Sequence, residues 1–384
     1  MKFKEKIYPF LALLLATTII CTHISPAIGK LAAKNSTTSQ TLISVATSNL
    51  QQGKLLYDTG RFAEAIKFLQ QAVQEYQQQG DTLRQAVTLS NLSLAYQELG
   101  DWNQAQQAIT ESLKLLAANQ EKILTLGVLA QSLDVQASLQ LAMGQTDLAL
   151  SSWQQAADIY TKIKDNSGVV RSQINQAQAL RIQGFYQKSI KILNELKQTL
   201  QSQPDSLEKV IGLRSLGNSL QLAGNLPDSQ KVLQQSLEIA QRLQSPNDMA
   251  ASLLSLGNNA LAQRKKPDAI AFYQQAVKVS SSPLTKVKAG LNQLKLMIED
   301  GKSSDVQTLL PVIQSLIEQL PPSRAAIYAR INFVQNLLKL GGENLTLKNS
   351  QRDTTRSLLP QRGTFLKLGE EESDYHLRVS NWII

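Results

Sequence analysis

Residues able to do covalent or metal chemistry are scarce in this chain of 384 residues, which has one cysteine, Cys21, and two histidines, His23 and His376. A thiolate nucleophile needs a base beside it, and a metal site needs three or four converging donors. Three residues at the two extremes of the sequence supply neither. The paired carboxylates Glu371 and Glu372 stand in a polar stretch, where a solvated surface is the expected role rather than general acid and base catalysis. No glycine-rich phosphate loop follows a strand-like run. The sequence therefore predicts a non-enzymatic protein with no catalytic residue, no metal and no cofactor. The chemistry that remains is that of hydrogen-bonding side chains, and what they can do depends on the elements that place them.

The first of those elements is separate from the rest. Lys2, Lys4 and Lys6 precede an uncharged run from Ile7 to Ile20, and the small-residue stretch Pro26-Ala27-Ile28-Gly29 follows. This is the pattern of a secretory signal peptide over residues 1–29, with cleavage expected after Gly29. It predicts an exported protein, periplasmic or extracellular, with no membrane attachment after cleavage. The alternative is an anchor through residues 7–20, although that run falls short of the ~20 residues that span a bilayer. Lipid attachment at Cys21 is poorly served by the bulky Ile20 before it. Cleavage would leave a chain without any thiol, and so without disulfides. It would also remove three Lys and one Glu, taking the formal charge from +9 to +7. The cluster Arg264-Lys265-Lys266 lacks the interleaved aromatics that stack on bases, so no nucleic-acid partner is expected.

Beyond a linker at 30–44, glycines recur at Gly60, Gly100, Gly144, Gly184 and Gly224, with gaps of 40, 44, 40 and 40 residues. Arg264 stands at the next place, but Pro227 and Pro267 are also 40 apart, and Gly301 and Gly341 extend the series. Apolar residues flank each point at helical spacing. Leu89, Leu92, Ala95, Tyr96 and Leu99 precede Gly100, and Trp102, Ala105, Ile109, Leu113 and Leu116 follow it. Two amphipathic helices joined by a tight turn result, with the glycine ending the first in a left-handed conformation and Asp101 capping the second. Pro227 and Pro267 suit the first turn of a helix. An aromatic content of 5% against 42% hydrophobic residues also favours helices over sheets. The large aromatics Trp102, Trp153, Tyr76 and Tyr160 fall at inter-helix positions and are expected to pack in the core.

In these features the chain resembles the tetratricopeptide repeat in a longer form of about forty residues. The family's small and aromatic packing positions are filled by Gly53, Gly60, Phe62, Ala65 and Ala72, then by Tyr96, Gly100, Trp102 and Ala105, and then by Ala137, Gly144, Ala149, Trp153 and Ala156. A fourth unit has Ala177, Gly184 and Tyr186 but Ser189 where alanine is usual. The fifth and sixth contain Leu216-Gly217-Asn218 and Leu256-Gly257-Asn258, followed by Ser229 and by Ala269 with Ala276. A degenerate seventh surrounds Gly301. The resemblance spans residues 45–340 and implies an all-α fold, a right-handed superhelical solenoid of about seven helix-turn-helix units. It also implies a concave groove lined by the first helix of each unit, in which segments of other proteins bind. The family's groove positions are occupied by Arg171, Gln178, Arg181, Arg214, Asn218, Gln221 and Asn258. Amides there could bond a partner's backbone and guanidinium groups could bond carboxylates, so acidic or C-terminal peptide segments are the expected ligands.

A signal followed by long-form repeats is also similar to the N-terminal part of bacterial CHAT-domain proteins, in which repeats precede a caspase-like domain. That likeness implies recruitment or regulation by the repeats, because no His and Cys pair for catalysis follows the array. At the C-terminus Ala325 to Leu340 reads as a helix beginning an eighth unit. Its second helix is not found in the polar tail 341–384, where Thr346, Ser350 and Asp353 take core positions. Two readings stay open: a terminal cap, or a shortened sequence ending in a disordered tail.

Overall fold

The structure, a computed structural model, describes residues 45–117, 122–301 and 303–340. The expected signal peptide, linker and polar tail lie outside the described residues. Among those described there are fifteen helices and no strand. The first pairs are α1 (45–58) with α2 (Phe62–Gln79), α3 (Thr82–Leu99) with α4 (Trp102–Ala117), and α5 (Ile123–Ala142) with α6 (Thr146–Lys162). Next come α7 (Asn166–Ile182) with α8 (Tyr186–Gln201) and α9 (Leu207–Leu222) with α10 (Leu226–Arg242). The array ends with α11 (Pro246–Ala262) and α12 (Lys266–Val279), α13 (Pro283–Glu299) and α14 (Ser303–Glu318), and a last helix, α15 (Arg324–Lys339). None of the described helices is long and apolar enough to cross a membrane.

Local sequence explains where the helices start and stop. Asp81, Asp165, Ser206, Ser282 and Ser323 each accept a hydrogen bond from the backbone N–H three residues on, which caps α3, α7, α9, α13 and α15. The expected cap at Asp101 is present but long, 3.4 Å from Gln104 N–H. Pro227 and Pro267 lie in the first turns of α10 and α12. At Gly100 the chain closes α3 with paired bonds, Gly100 N–H to Gln97 C=O and Asp101 N–H to Tyr96 C=O, and φ is +78°. Arg264 takes φ +60° at the place of the missing glycine, so the left-handed turn is kept against the right-handed preference of a residue that carries a side chain.

Outer and inner helices bury themselves differently. The even-numbered helix α2 buries one stripe, Ala65, Ile66, Leu69, Ala72 and Tyr76, as an amphipathic surface helix should. The odd-numbered helix α3 is buried from Gln85 to Tyr96 and on to Glu98. Successive odd helices pack on one another at α3–α5, α7–α9, α9–α11, α11–α13 and α13–α15, and no even-numbered pair does so to that extent. The odd helices are therefore crowded on the inside of a curve and the even ones fan out around it. Glycine allows the crowding. A Cβ on Gly217 would come 2.5 Å from Leu233, and one on Gly257 would come 2.4 Å from the ring of Tyr273.

Serines fill other close contacts. Ser112 Oγ lies 2.8 Å from Ser90 Oγ and also donates to Ala86 C=O, while Ser90 meets Ser132 at 2.9 Å. Ser236 repeats the arrangement with Val210 C=O and Ser252. Ser189, where alanine was expected, bonds Ser219 at 2.9 Å. Each hydroxyl is small enough for the seam and is satisfied within it.

The curve also brings the ends together. Pro321 lies against Gly60, the Arg324 guanidinium sits 4.8 Å from the centre of the Trp102 ring, and α15 packs on α3. An open curved rod is the ordinary expectation for seven stacked units, and here the turn is wound tightly enough to close.

Candidate functional site

The inner helices present the residues singled out from sequence, in two clusters. On α7 Arg171, Gln178 and Arg181 follow one another at spacings of seven and three, and on α9 Arg214, Asn218 and Gln221 at four and three, so each set shares a helix face. Asn258 on α11 lies one repeat beyond Asn218.

Around α5 and α7 the arrangement is centred on a carboxylate. Asp134 accepts hydrogen bonds from Tyr160 Oη at 2.8 Å and Ser172 Oγ at 3.1 Å. Arg171 lies 5.8 Å from the centre of the Tyr160 ring and 3.8 Å from Asp165. Burial pushes the Asp134 carboxyl up to about 7, against the opposing effects of the Tyr160 and Ser172 hydrogen bonds and the Arg171 charge. The same burial, with the neighbouring Asp134 charge, raises the Tyr160 phenol. About two turns further on, Gln178 is 5% exposed and Arg181 is 6% exposed. The Gln178 Nε2 meets no hydrogen-bond partner among the described residues. A buried amide donor left open costs about 1–3 kcal/mol and is satisfied by whatever acceptor reaches it.

Around α9 and α11 the charges are of the opposite order. Arg214 is 1% exposed, and its guanidinium meets Asp248 at 3.5 Å. Ser245 Oγ supports the second oxygen of Asp248 at 2.7 Å. The fork of Arg214 thus faces an internal carboxylate rather than the groove. Asn218, Gln221 and Asn258 are half-buried. The Oδ1 of Asn258 accepts from Tyr273 Oη at 2.8 Å and from Asn292 Nδ2 at 3.3 Å. The structure therefore adds Asp134, Ser172, Tyr273 and Asn292 to the residues that sequence proposed. Asp134, Tyr160 and Ser172 lie on three different helices, and only the register of Asp134 with Arg214, two repeats apart, hinted that this position turns inward.

Trp153, Tyr76 and Tyr160 are fully buried, as expected for core aromatics. Trp102 is half-buried beneath Arg324. Among the described residues no group of His, Cys, Asp and Glu is arranged to hold a metal ion.

Comparison with known proteins agrees with this architecture. The tetratricopeptide repeat family matches residues 44–118 and 210–282, which hold α1 to α4 and α9 to α12. The overall fold is similar to a Rap protein complexed with Competence and Sporulation Factor, at 12% identity and a TM-score of 0.54, covering 81% of this chain and 86% of that one. The apo form of RapI matches at 12% identity and a TM-score of 0.52, over 76% of this chain and 99% of that one. A tetratricopeptide repeat protein from Parabacteroides merdae matches at 13% identity and a TM-score of 0.48, over 77% and 99% of the two chains. No curated protein matches the sequence. Two stretches of the chain thus match the tetratricopeptide repeat family, and its helical array has the fold of these similar structures.

Proposed function

We propose that the inner face over α7 to α11 binds an extended segment of another protein, and that the chain acts as an exported, non-enzymatic scaffold. The observation that carries this reading is the open Gln178 amide, buried beside Arg181 on the helix that precedes the half-buried amides Asn218, Gln221 and Asn258. Amides both give and accept hydrogen bonds, which suits a peptide backbone whatever its side chains. Arg171 and Arg181 add a preference for acidic segments or a terminal carboxylate, whereas Arg214 serves Asp248. The likeness of fold to a protein complexed with Competence and Sporulation Factor supports a groove that takes a ligand. Export rests on the N-terminal pattern at residues 1–29, and N-terminal sequencing of the secreted form is expected to begin at Lys30.

Selection of displayed random peptides on the full chain tests the groove. Enriched peptides are expected to lose about tenfold in affinity when Gln178 or Asn218 becomes alanine, the equivalent of one hydrogen bond. Gln107→Ala, on the outer helix α4, should leave binding unchanged. Equal binding by all three variants would end the proposal.

A further inference from the structure

The contact between the two ends of the array is small and specific. Gly60 closes α1 with φ +78°, and a Cβ there would come within 2.5 Å of Pro321 Cγ. Arg324 covers the Trp102 ring, and its side chain passes close to Gly100, 3.8 Å from where a Cβ would stand. Beside it Tyr57 donates to Glu98 at 3.3 Å. Burial and then the charges of Glu98 and Asp58 push the Tyr57 phenol up, while Arg324 opposes them. A guanidinium has thus been brought from the far end of the array to an aromatic face near a buried acidic group.

We propose that this contact is a releasable latch. Closed, residues 321–324 hold the array as a ring; released, the α13–α15 end swings away and opens the inner face. Two features suit release. The footprint is one proline, one guanidinium and a short contact of α15 with α3, and a cation–π contact is modest in strength compared with a repeat-to-repeat core. The arm that carries it is the α13–α15 unit, in which α15 packs on α13 and only sparsely on α14, and Pro311 interrupts the backbone bonding inside α14. Two states separated by so small a contact are both accessible, and a ligand that favours one shifts the population. The latch stands on the end contacts, independently of what the groove binds.

Spin labels on the full chain, at Asn103→Cys and Gln319→Cys with Cys21→Ser, report the latch by pulsed electron resonance. The expected result is a single short, narrow distance distribution. Gly60→Ala and Gly144→Ala form the decisive pair, since both carry nearly the same positive φ, +78° and +77°, but nothing lies within 4 Å of a Cβ on Gly144. Gly60→Ala should move the distribution outward by about one helix diameter, roughly 10 Å, and Gly144→Ala should not. Arg324→Ala should repeat the outward shift, which keeps the test alive if Gly60→Ala does not fold. A broad, long distribution in the unsubstituted chain, or identical distributions in all variants with unchanged helix content, would overturn the latch.

Discussion

The junction between α5 and α7 and the junction between α9 and α11 sit two repeats apart in the same register, yet they are held by different chemistry. Between α9 and α11 the inner helices pack on each other, and the buried charge of Arg214 is met by Asp248. Between α5 and α7 such packing is slight, and hydroxyls of Tyr160 and Ser172 converge on Asp134 instead. The first is a charge neutralised by a partner; the second is a carboxylate held by neutral donors and kept from water. The difference shows that a repeat fixes where a polar side chain points, while the neighbouring helix decides whether that side chain is a strut or a titratable centre.

Substitutions at each junction and at one turn break or sharpen this contrast. Asp248→Ala leaves the Arg214 charge buried opposite an apolar side chain and should cost about 3 kcal/mol in urea unfolding, with Asp248→Asn costing less. Gly257→Leu attacks the same junction through its packing. With no room against Tyr273, overpacking should cost about 1–3 kcal/mol, read as a lowered Tm.

At the other junction the effect is one of pH. The folded-state carboxyl of Asp134, raised to about 7, binds its proton more tightly than in the unfolded chain, where the ordinary value is about 3.9. Its contribution to stability is therefore fully present below about pH 4 and is lost as pH rises through about 7. Asp134→Asn should flatten the decline of Tm between those limits, and Gly257→Leu, which changes no charge, should leave that decline as it is. The smallest expected effect is Arg264→Gly, which relieves a positive φ and should stabilise by roughly 1 kcal/mol by thermal denaturation.

Much of this architecture was legible in the order of residues. The glycines at Gly60, Gly100, Gly144, Gly184, Gly224 and Gly301 all take positive φ, because only a left-handed turn reverses the chain between paired helices at that point. Arg264 keeps the turn without glycine, so spacing was a better guide there than residue type. The close seams at Gly217 and Gly257 were equally legible, since a missing side chain at a repeated place signals two helices in contact.

What could not be read was pairing across repeats. Arg214 looks the same in sequence as Arg171 or Arg181, and its commitment to Asp248 depends on how far α11 leans toward α9. The serine contacts at Ser90, Ser112 and Ser132 look like ordinary polar residues until three helices bring their hydroxyls together. Closure of the ring depends on the summed rotation of every unit, a quantity that no local pattern contains.

Amide hydrogen exchange, read helix by helix in Gly257→Leu, tests most directly that paired helices stabilise one another as a stacked array. Nearest-neighbour stacking predicts that protection is lost first in α11 and α12, less in α9, α10 and α13, and little in α3 to α6. A uniform loss of protection across all fifteen helices would contradict it.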